Sequence, residues 1–455
     1  MEFDAIVIGA GQAGPALAAR LAAAGQKVAI IERGHMGGTC VNTGCMPTKT
    51  MVASAYAAFM AREGSRFGAV TQGLAINMDQ VKFRKDEVVL TARGNLTRWM
   101  EGTPGVTLIR GHARFTSPHE VEVDGRKISA DKIFVNVGGR AVLPPVKGLS
   151  TIPVLTNADV MDMTEVPSHL VVIGGSYIGL EFAQIYRRFG AQVTVIERAP
   201  EIIAREDADV VAGVRAILEG EGITIHSGVL DLEVTGADPA RFRFTTTSGT
   251  VNEITASHVL AATGRRPNTD DLGLDAAGLV TDARGIIPVD EGCRTAVNHI
   301  WVLGEANGRG AFTHTAYNDY EIVADNLLLG MDRKTSDRIS CYALFIDPPL
   351  GRIGMGETEA RAAGHTVLIG RRDMKRVGRA IESGETRGFM KVILDAQTRR
   401  LLGATVLGYR GDEAVQSLLV AMYAGMTADQ MMRVIGIHPT VVELLPFAIA
   451  DALPR

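Results

Sequence analysis

Two cysteines, Cys40 and Cys45, sit in the run Gly37-Gly38-Thr39-Cys40-Val41-Asn42-Thr43-Gly44-Cys45-Met46-Pro47-Thr48-Lys49. A pair spaced Cys-x4-Cys can carry two electrons by cycling between dithiol and disulfide. The run begins an apolar helical pattern. On a regular helix, residues five apart are separated by about 7.5 Å along the axis. A disulfide needs Cα atoms about 4.4–6.8 Å apart. Closure therefore requires an irregular first turn, for which Gly44 and Pro47 are the available residues. A helix N-terminus also stabilises a thiolate. The competing reading is a structural disulfide or two inert core cysteines. The flanking Gly-Gly-Thr and Gly-Cys-Met-Pro-Thr-Lys argue against it, as does the rarity of non-catalytic disulfides inside cells.

Such a pair needs a source of electrons, and an internal repeat supplies candidates. Residues 5–33 read AIVIGAGQAGPALAARLAAAGQKVAIIER and residues 170–198 read LVVIGGSYIGLEFAQIYRRFGAQVTVIER. A constant offset of 165 residues carries Gly9 to Gly174, Gly14 to Gly179, Gly25 to Gly190, Glu32 to Glu197 and Arg33 to Arg198. Each unit is an apolar strand, a glycine turn, a helical stretch and a second strand ending in Glu, which is a βαβ nucleotide-binding unit. In the first, Gly9-x-Gly11-x-x-Gly14 lets a pyrophosphate approach the backbone at a helix N-terminus. Glu32 stands where an acid accepts ribose hydroxyls. In the second, Gly174-x-Ser176-x-x-Gly179 has Ser at the middle position. Glu197 opposes a 2′-phosphate and favours NADH over NADPH, against which Arg198 and Arg205 pull. Two nucleotide sites plus a redox disulfide imply a relay in which NAD(P)H delivers hydride and a flavin, FAD, passes electrons to sulfur.

Composition agrees with such an enzyme. The chain has 455 residues, enough for about two to four domains. It is 46% hydrophobic and 22% charged with a net charge of −4, which predicts no broad nucleic-acid footprint. Only four cysteines occur. Cys293 and Cys341 lie in no motif and read as buried small hydrophobes. The apolar N-terminus is broken by Gly9, Gly11, Gly14, Pro15 and Arg20 and lacks a basic leader. No membrane span and a cytoplasmic location are the expectation. No metal-ligating cluster is read.

The cysteine run, GGSYIGLEFA, AATGRRPNT (261–269), IWVLGEANG (300–308) and Ile437-His438-Pro439-Thr440-Val441-Val442-Glu443 together resemble the flavoprotein disulfide reductases. That family includes dihydrolipoamide dehydrogenase, glutathione reductase and mercuric reductase, and the resemblance covers nearly the whole chain. FTHTAYNDY (312–320) and the Asp347-Pro348-Pro349 region are most similar to the mercuric-reductase-like branch, which also holds a cupric reductase of reactive-chlorine resistance.

The resemblance implies roles. Cys45 is the thiolate against the flavin and Cys40 the interchange thiol. Lys49 sits near the flavin and pairs with Glu181. Tyr177 stacks over the flavin and swings aside for nicotinamide. His438, oriented by Glu443, is the acid–base of the partner subunit in an obligate homodimer. Arg33, Gly38, Thr39, Gly264, Gly304, Glu305, Ala311 and Phe312 complete the FAD site. Taken singly, Lys49 could be a solvated helix residue, Tyr177 core packing, and Glu443 half of a capping box with Thr440.

Three departures from the family stand out. Glu305 replaces an Asp. The chain ends Asp451-Ala452-Leu453-Pro454-Arg455 without the vicinal cysteines of mercuric reductase. Nor is an N-terminal metal-capture domain read, so efficient Hg(II) handling is not expected. Finally, non-thiol relatives that act as transhydrogenases lack one of the cysteines, and both are present here.

The expected fold is α/β, with two Rossmann-like dinucleotide-binding domains and a C-terminal α+β dimerisation domain. The boundaries are 1–147 (FAD, first part), 148–266 (NAD(P)), 267–338 (FAD and central, second part) and 339–455 (interface). The expected activity is NAD(P)H-dependent reduction of a small disulfide: glutathione, lipoamide, another low-molecular-weight thiol or a product of hypohalous stress. Reduction of Cu(II) or Hg(II), and redox sensing, are the alternatives.

Overall fold

Runs of Val, Ile and Ala separated by glycine turns build a parallel sheet covered on both faces. The computed structural model describes residues 1–453. Pro454 and Arg455, the end of the tail that lacks a cysteine pair, lie outside them. Strands β1 (Glu2–Ile8), β2 (Val28–Glu32), β3 (Val106–Arg110), β4 (Arg114–Ser117), β5 (Glu120–Val123) and β6 (Arg126–Val135) stand in the order β3-β2-β1-β6-β5-β4. The β3-β2-β1-β6 half is parallel, and β5 and β4 extend it antiparallel. Helix α1 (Gly14–Ala23) crosses between β1 and β2 and buries Leu17, Ala18 and Leu21. Helices α2 (Gly38–Asn42), α3 (Cys45–Glu63) and α4 (Met78–Gly102) precede β3.

After the short strand β7 (Gly139–Ala141), the chain builds a second parallel sheet. It contains β8 (His169–Ile173), α5 (Tyr177–Phe189), β9 (Gln192–Ile196), α6 (Ala208–Gly220) and β10 (Thr224–His226). A meander of β11 (Val229–Ala237), β12 (Ala240–Thr246) and β13 (Val251–Ala256) leads to β14 (His258–Ala261), and the sheet order is β10-β9-β8-β14. The repeat recurs residue for residue. β1 registers Ala5 against Val28, and β8 registers Leu170 against Val193.

Strand β15 (Arg265–Pro267) pairs antiparallel with β7, and β16 (Ile300–Val302) rejoins the first sheet beside β6. Helix α7 (Thr313–Leu329) follows. The C-terminal layer is an antiparallel sheet of β17 (Cys341–Leu344), β18 (Leu350–Gly354), β19 (Val367–Asp373), β20 (Phe389–Asp395) and β21 (Leu401–Leu407) in the order β17-β18-β21-β20-β19. Helix α8 (Glu357–Ala362) lies between β18 and β19. The architecture is thus two Rossmann-like units and an α+β unit. Cys293 is fully buried, whereas Cys341 is only half-buried.

A charged anchor joins the second and third units. Asp207 precedes α6 and accepts the backbone N–H groups of Glu357 (2.9 Å) and Thr358 (3.1 Å) at the start of α8. Lys391 on β20 lies 3.2 Å from Asp207, 3.0 Å from Asp209 and 3.0 Å from Glu357, with its side chain 3% exposed. Burial pushes the Asp207 carboxyl up, but the two N–H groups and Lys391 outweigh it and hold the group low. Glu357 is also held low, by Lys391 before all else.

Both carboxylates therefore add stability above their unfolded pKa values of about 4, and that stability is lost as pH falls. Lys391→Met removes the cation and leaves three carboxylates facing one another. Thermal and denaturant unfolding at pH 7 should show a loss of about 3–5 kcal/mol. The loss should shrink towards pH 4, where the carboxylates protonate. A loss independent of pH would mean that Lys391 acts through packing.

Candidate active site

Cys40 lies on α2 and Cys45 is the first residue of α3. The expected irregular first turn of one helix is instead a break between two helices. Gly44 makes the break, with φ −136° and ψ −118°. Pro47 sits within the first turn of α3, a position where its missing N–H costs nothing. Both cysteines are free thiols. The Cys45 Sγ stands 3.2 Å from the hydroxyl of Thr313, the first residue of α7.

The two sulfurs differ in electrostatics. Cys45 is drawn down to about 6, chiefly by its hydrogen bond with Cys40. Burial opposes this, while the Thr313 hydroxyl and the Lys49 ammonium reinforce it. Cys40 is pushed up, first by that same hydrogen bond and then by burial. Near neutral pH the pair holds one thiolate, on Cys45, and one thiol, on Cys40.

Lys49 donates to Glu181 Oε2 at 2.8 Å, as the resemblance implied. The other carboxylate oxygen accepts the N–H of Phe345 at 2.9 Å. The Lys49 ammonium sits 4.5 Å from the centroid of the Phe345 ring. Three units therefore meet at this pair: α3, α5 and the segment after β17.

Cys40 also lines a long cleft that runs over the first sheet past Gly9, Gly11, Glu32, Gly38 and Glu305 to Thr313. Arg33, Thr39, Gly304, Ala311 and Phe312 line the same cleft. Gly9 has φ +101°, and a Cβ there would meet the Asn136 carbonyl oxygen at 2.3 Å. A Cβ at Gly14 would meet the Gly9 carbonyl oxygen at 2.2 Å. Gly174 and Gly179 repeat both contacts, at 2.4 Å from Ala262 O and 2.0 Å from Gly174 O. A Cβ at Gly38 would press on Gly11 Cα at 2.8 Å. A side chain at any of these positions would collide with neighbouring backbone, so the turns close this tightly only with glycine, and the cleft they border fits an extended dinucleotide such as FAD.

Glu32 and Glu197 share one arrangement. Glu32 accepts from Ala10 N (2.7 Å) and Gly34 N (2.7 Å), and Glu197 from Gly175 N (2.6 Å) and Ala199 N (2.7 Å). Each acid ties its glycine turn to the end of the second strand, a task beyond the ribose contact read from sequence. Ser176 and Arg198 are exposed at the second turn. Arg33 pairs with Asp271 at 2.7 Å. Gly264 does not line the cleft, and its carbonyl accepts from Val142 N at 3.2 Å. The carboxylate of Glu305 is 2.8 Å from Arg265 Nε, so the longer side chain serves an ion pair.

His438 Nδ1 lies 3.0 Å from both oxygens of Glu443. The same carboxylate accepts Thr440 N at 3.3 Å, and Glu443 N donates to Thr440 Oγ1 at 3.2 Å. The capping box and the histidine partner are thus one structure. The His438 side chain is 80% exposed and Glu443 only 15%. Among the described residues, His438 has no hydrogen bond to either cysteine of its own chain. Ile435 (95% exposed) and Ile437 (81%) stand beside it, an apolar surface of the kind another chain covers.

Several residues escaped the sequence reading. Asn136 accepts Gly14 N at 3.1 Å and donates to Leu303 O at 3.2 Å, joining the glycine turn to the returning strand. Its signal was an apolar strand ending in a polar amide. Thr313 was quoted within a motif but given no role. Glu206 and Tyr342, which meet the Tyr177 hydroxyl, carried no local signal.

The family model described as pyridine nucleotide-disulphide oxidoreductase matches residues 3–319, and its dimerisation domain matches residues 340–448. The chain is 34% identical to the probable pyridine nucleotide-disulfide oxidoreductase RclA of Escherichia coli, over 98% of each chain. It is 32% identical to a mercuric reductase of Streptomyces lividans, over 98% of this chain and 95% of that protein. It is 31% identical to a dihydrolipoyl dehydrogenase of Geobacillus stearothermophilus, over 100% and 97%. The solved Cu(II) complex of the HOCl-induced flavoprotein disulfide reductase RclA superposes with a TM-score of 0.89 at 32% identity, over 99% of each chain.

No helix among the described residues is long and apolar enough to cross a membrane.

The asymmetry of the thiols has a direct readout. In the reduced protein, alkylation of Cys45 should follow a titration centred near the value of about 6. Cys40 should react appreciably only at alkaline pH. Thr313→Val and Lys49→Met should each move the Cys45 midpoint upward, because each removes a partner of the thiolate. Mass-resolved alkylation against pH measures it, and equal midpoints for the two cysteines would contradict the assignment.

Proposed function

The chain belongs to the pyridine nucleotide-disulphide oxidoreductase family, and from that premise we propose how its residues divide the work and what they reduce. It is a FAD-dependent, NAD(P)H-oxidising flavoprotein enzyme that acts on disulfides or metal ions, and a homodimer. FAD, when bound, accepts hydride from NAD(P)H and supplies two electrons to the cysteine pair. In this reading the cradle of Gly9, Gly11, Gly38 and Asn136 holds its pyrophosphate. The second glycine turn holds NAD(P)H, with NADH preferred because the Glu197 carboxylate stands at the strand end. The cytoplasm is the compartment that suits so few cysteines, two of them redox-active.

The observation that carries the reading is the unequal thiol pair. Cys40, the interchange thiol, needs a base to become a nucleophile, and among the described residues its hydrogen-bond partners are Cys45 and the Thr313 hydroxyl, with no histidine or carboxylate. His438 of the partner subunit, held in one orientation by Glu443, takes the Cys40 proton. The Cys40 thiolate then attacks a disulfide, forming a mixed disulfide and expelling one thiolate. His438 returns the proton to that leaving sulfur. The Cys45 thiolate next attacks the Cys40 sulfur, closing Cys40–Cys45 and expelling the second substrate sulfur as a thiolate, which takes its proton from solvent. Two electrons leave the protein and one substrate disulfide becomes two thiols.

A second reading is metal-ion reduction. A thiolate beside a thiol is a soft donor pair suited to copper or mercury, and the E. coli relative was solved as a Cu(II) complex. A steady-state screen of disulfides and metal ions with NADH and NADPH separates the two. Turnover with metal ions alone would replace the disulfide reading.

The shared site is tested by mixing subunits. His438→Ala should cut disulfide turnover by about 10²–10⁴, the usual range for losing a general acid–base group. When inactive Cys40→Ser and His438→Ala chains exchange subunits, the heterodimer has one doubly impaired site and one intact site. Activity should therefore reappear. No recovery in proven heterodimers would place His438 in the same site as its own cysteines, or outside the reaction.

A further inference from the structure

Tyr177 begins α5, and its hydroxyl donates to Glu206 Oε1 at 2.8 Å. The Tyr342 hydroxyl, from β17 of the third unit, donates to the same oxygen at 2.7 Å. Arg352 Nε, from β18, stands 3.4 Å from the other oxygen. The Glu206 side chain is 1% exposed and that of Arg352 5%. Burial, then the Glu206 charge, pushes both phenols up, so they remain donors. The Tyr177 ring meets Tyr342 edge-on at 5.6 Å and Phe312 edge-on at 6.4 Å. Phe312 in turn stacks on Tyr342 at 5.6 Å and lines the FAD cleft.

Glu206 has little freedom to follow Tyr177 if the ring moves. Its neighbour in sequence, Asp207, is fixed to the start of α8 and to Lys391. A buried acceptor anchored this way makes its hydrogen bond in one position of the ring and loses it in any other. We infer that Glu206, positioned by Tyr342 and Arg352 of the third unit, clamps the Tyr177 hydroxyl and so opposes entry of the nicotinamide ring beside the flavin site. This rests on the reading of Tyr177 as the residue that swings aside for nicotinamide. Glu206 and Tyr342 are positioning residues, since neither needs to touch the nucleotide. The consequence is that affinity for the nicotinamide half is set partly by the C-terminal unit.

A nucleotide that must open the clamp binds with an affinity reduced by the open fraction. ADP-ribose has the same pyrophosphate and riboses but no nicotinamide, so the clamp leaves it untouched. Calorimetric titration of the oxidised holoenzyme with NAD+ and with ADP-ribose therefore isolates the effect. Tyr177→Phe deletes only the hydroxyl and should tighten NAD+ by about tenfold, the scale of one charge-assisted hydrogen bond, with ADP-ribose unchanged. Glu206→Gln, which keeps an acceptor oxygen, should tighten NAD+ less. The double variant should match Tyr177→Phe alone. Equal shifts for the two ligands, or none in Tyr177→Phe, would overturn the clamp, whether or not Glu206→Gln folds. Tyr177→Ala separates the premise from the inference. If it leaves the NAD+ to ADP-ribose ratio unchanged, Tyr177 is no gate. If it tightens NAD+ while Tyr177→Phe does not, the gate stands and the clamp is wrong.

Discussion

The ion pair between Lys49 and Glu181, 2.8 Å apart, is the contact on which the arrangement of this molecule turns. Lys49 is one turn beyond Cys45 on α3, in the first unit. Glu181 is on α5, the helix that opens with the nucleotide turn of the second unit. The second oxygen of Glu181 takes the N–H of Phe345, in the third unit, whose ring lies against the Lys49 ammonium. A carboxylate this buried is tolerable only with both oxygens satisfied. The three units meet around it. The pair sets α3 against α5 and puts positive charge near the Cys45 sulfur, while α7, packed on α1, brings Thr313 to the same sulfur.

The electrostatics of the thiols follow from that placement. Cys45 has a hydrogen-bonding thiol, a hydroxyl and an ammonium around it, and begins a helix, so its negative charge is stabilised from several sides. Cys40 has the Cys45 sulfur as its dominant neighbour, and that neighbour is already the better place for the charge. One sulfur is prepared to hold electrons near the cofactor cleft. The other stays a neutral thiol. In the proposed mechanism its base is His438 with Glu443, on an exposed C-terminal segment beside the apolar Ile435 and Ile437, and dimerisation and proton transfer then share one surface.

Much of this was legible in the chain because the chemistry sits in short segments. The two glycine turns, the cysteine run and the His438 to Glu443 segment each carry their partners within a few residues or at the repeat offset. Lys49 with Glu181 was legible only through the family resemblance, since 132 residues separate them. What stayed hidden depends on distant partners. Thr313 reaches Cys45 across 268 residues, and Glu206 meets Tyr342 across 136. No periodicity or propensity reports such pairs. The break at Gly44 was read as an irregular turn, because a glycine signals a change of direction without saying which helix ends. Glu32 and Glu197 were read as ribose acids. Their bonds to the glycine turns are backbone contacts that no side-chain pattern reveals.

The central claim is that electrons pass through the Cys40–Cys45 pair as a reversible disulfide next to the cofactor. Anaerobic titration with a calibrated reductant measures it by counting equivalents. The oxidised protein should take up twice what its FAD alone accounts for, since flavin and disulfide are each two-electron couples. Cys45→Ser should fall to the flavin's share. Uptake equal to the flavin alone in the wild-type protein would contradict the account and leave the two cysteines as structural thiols.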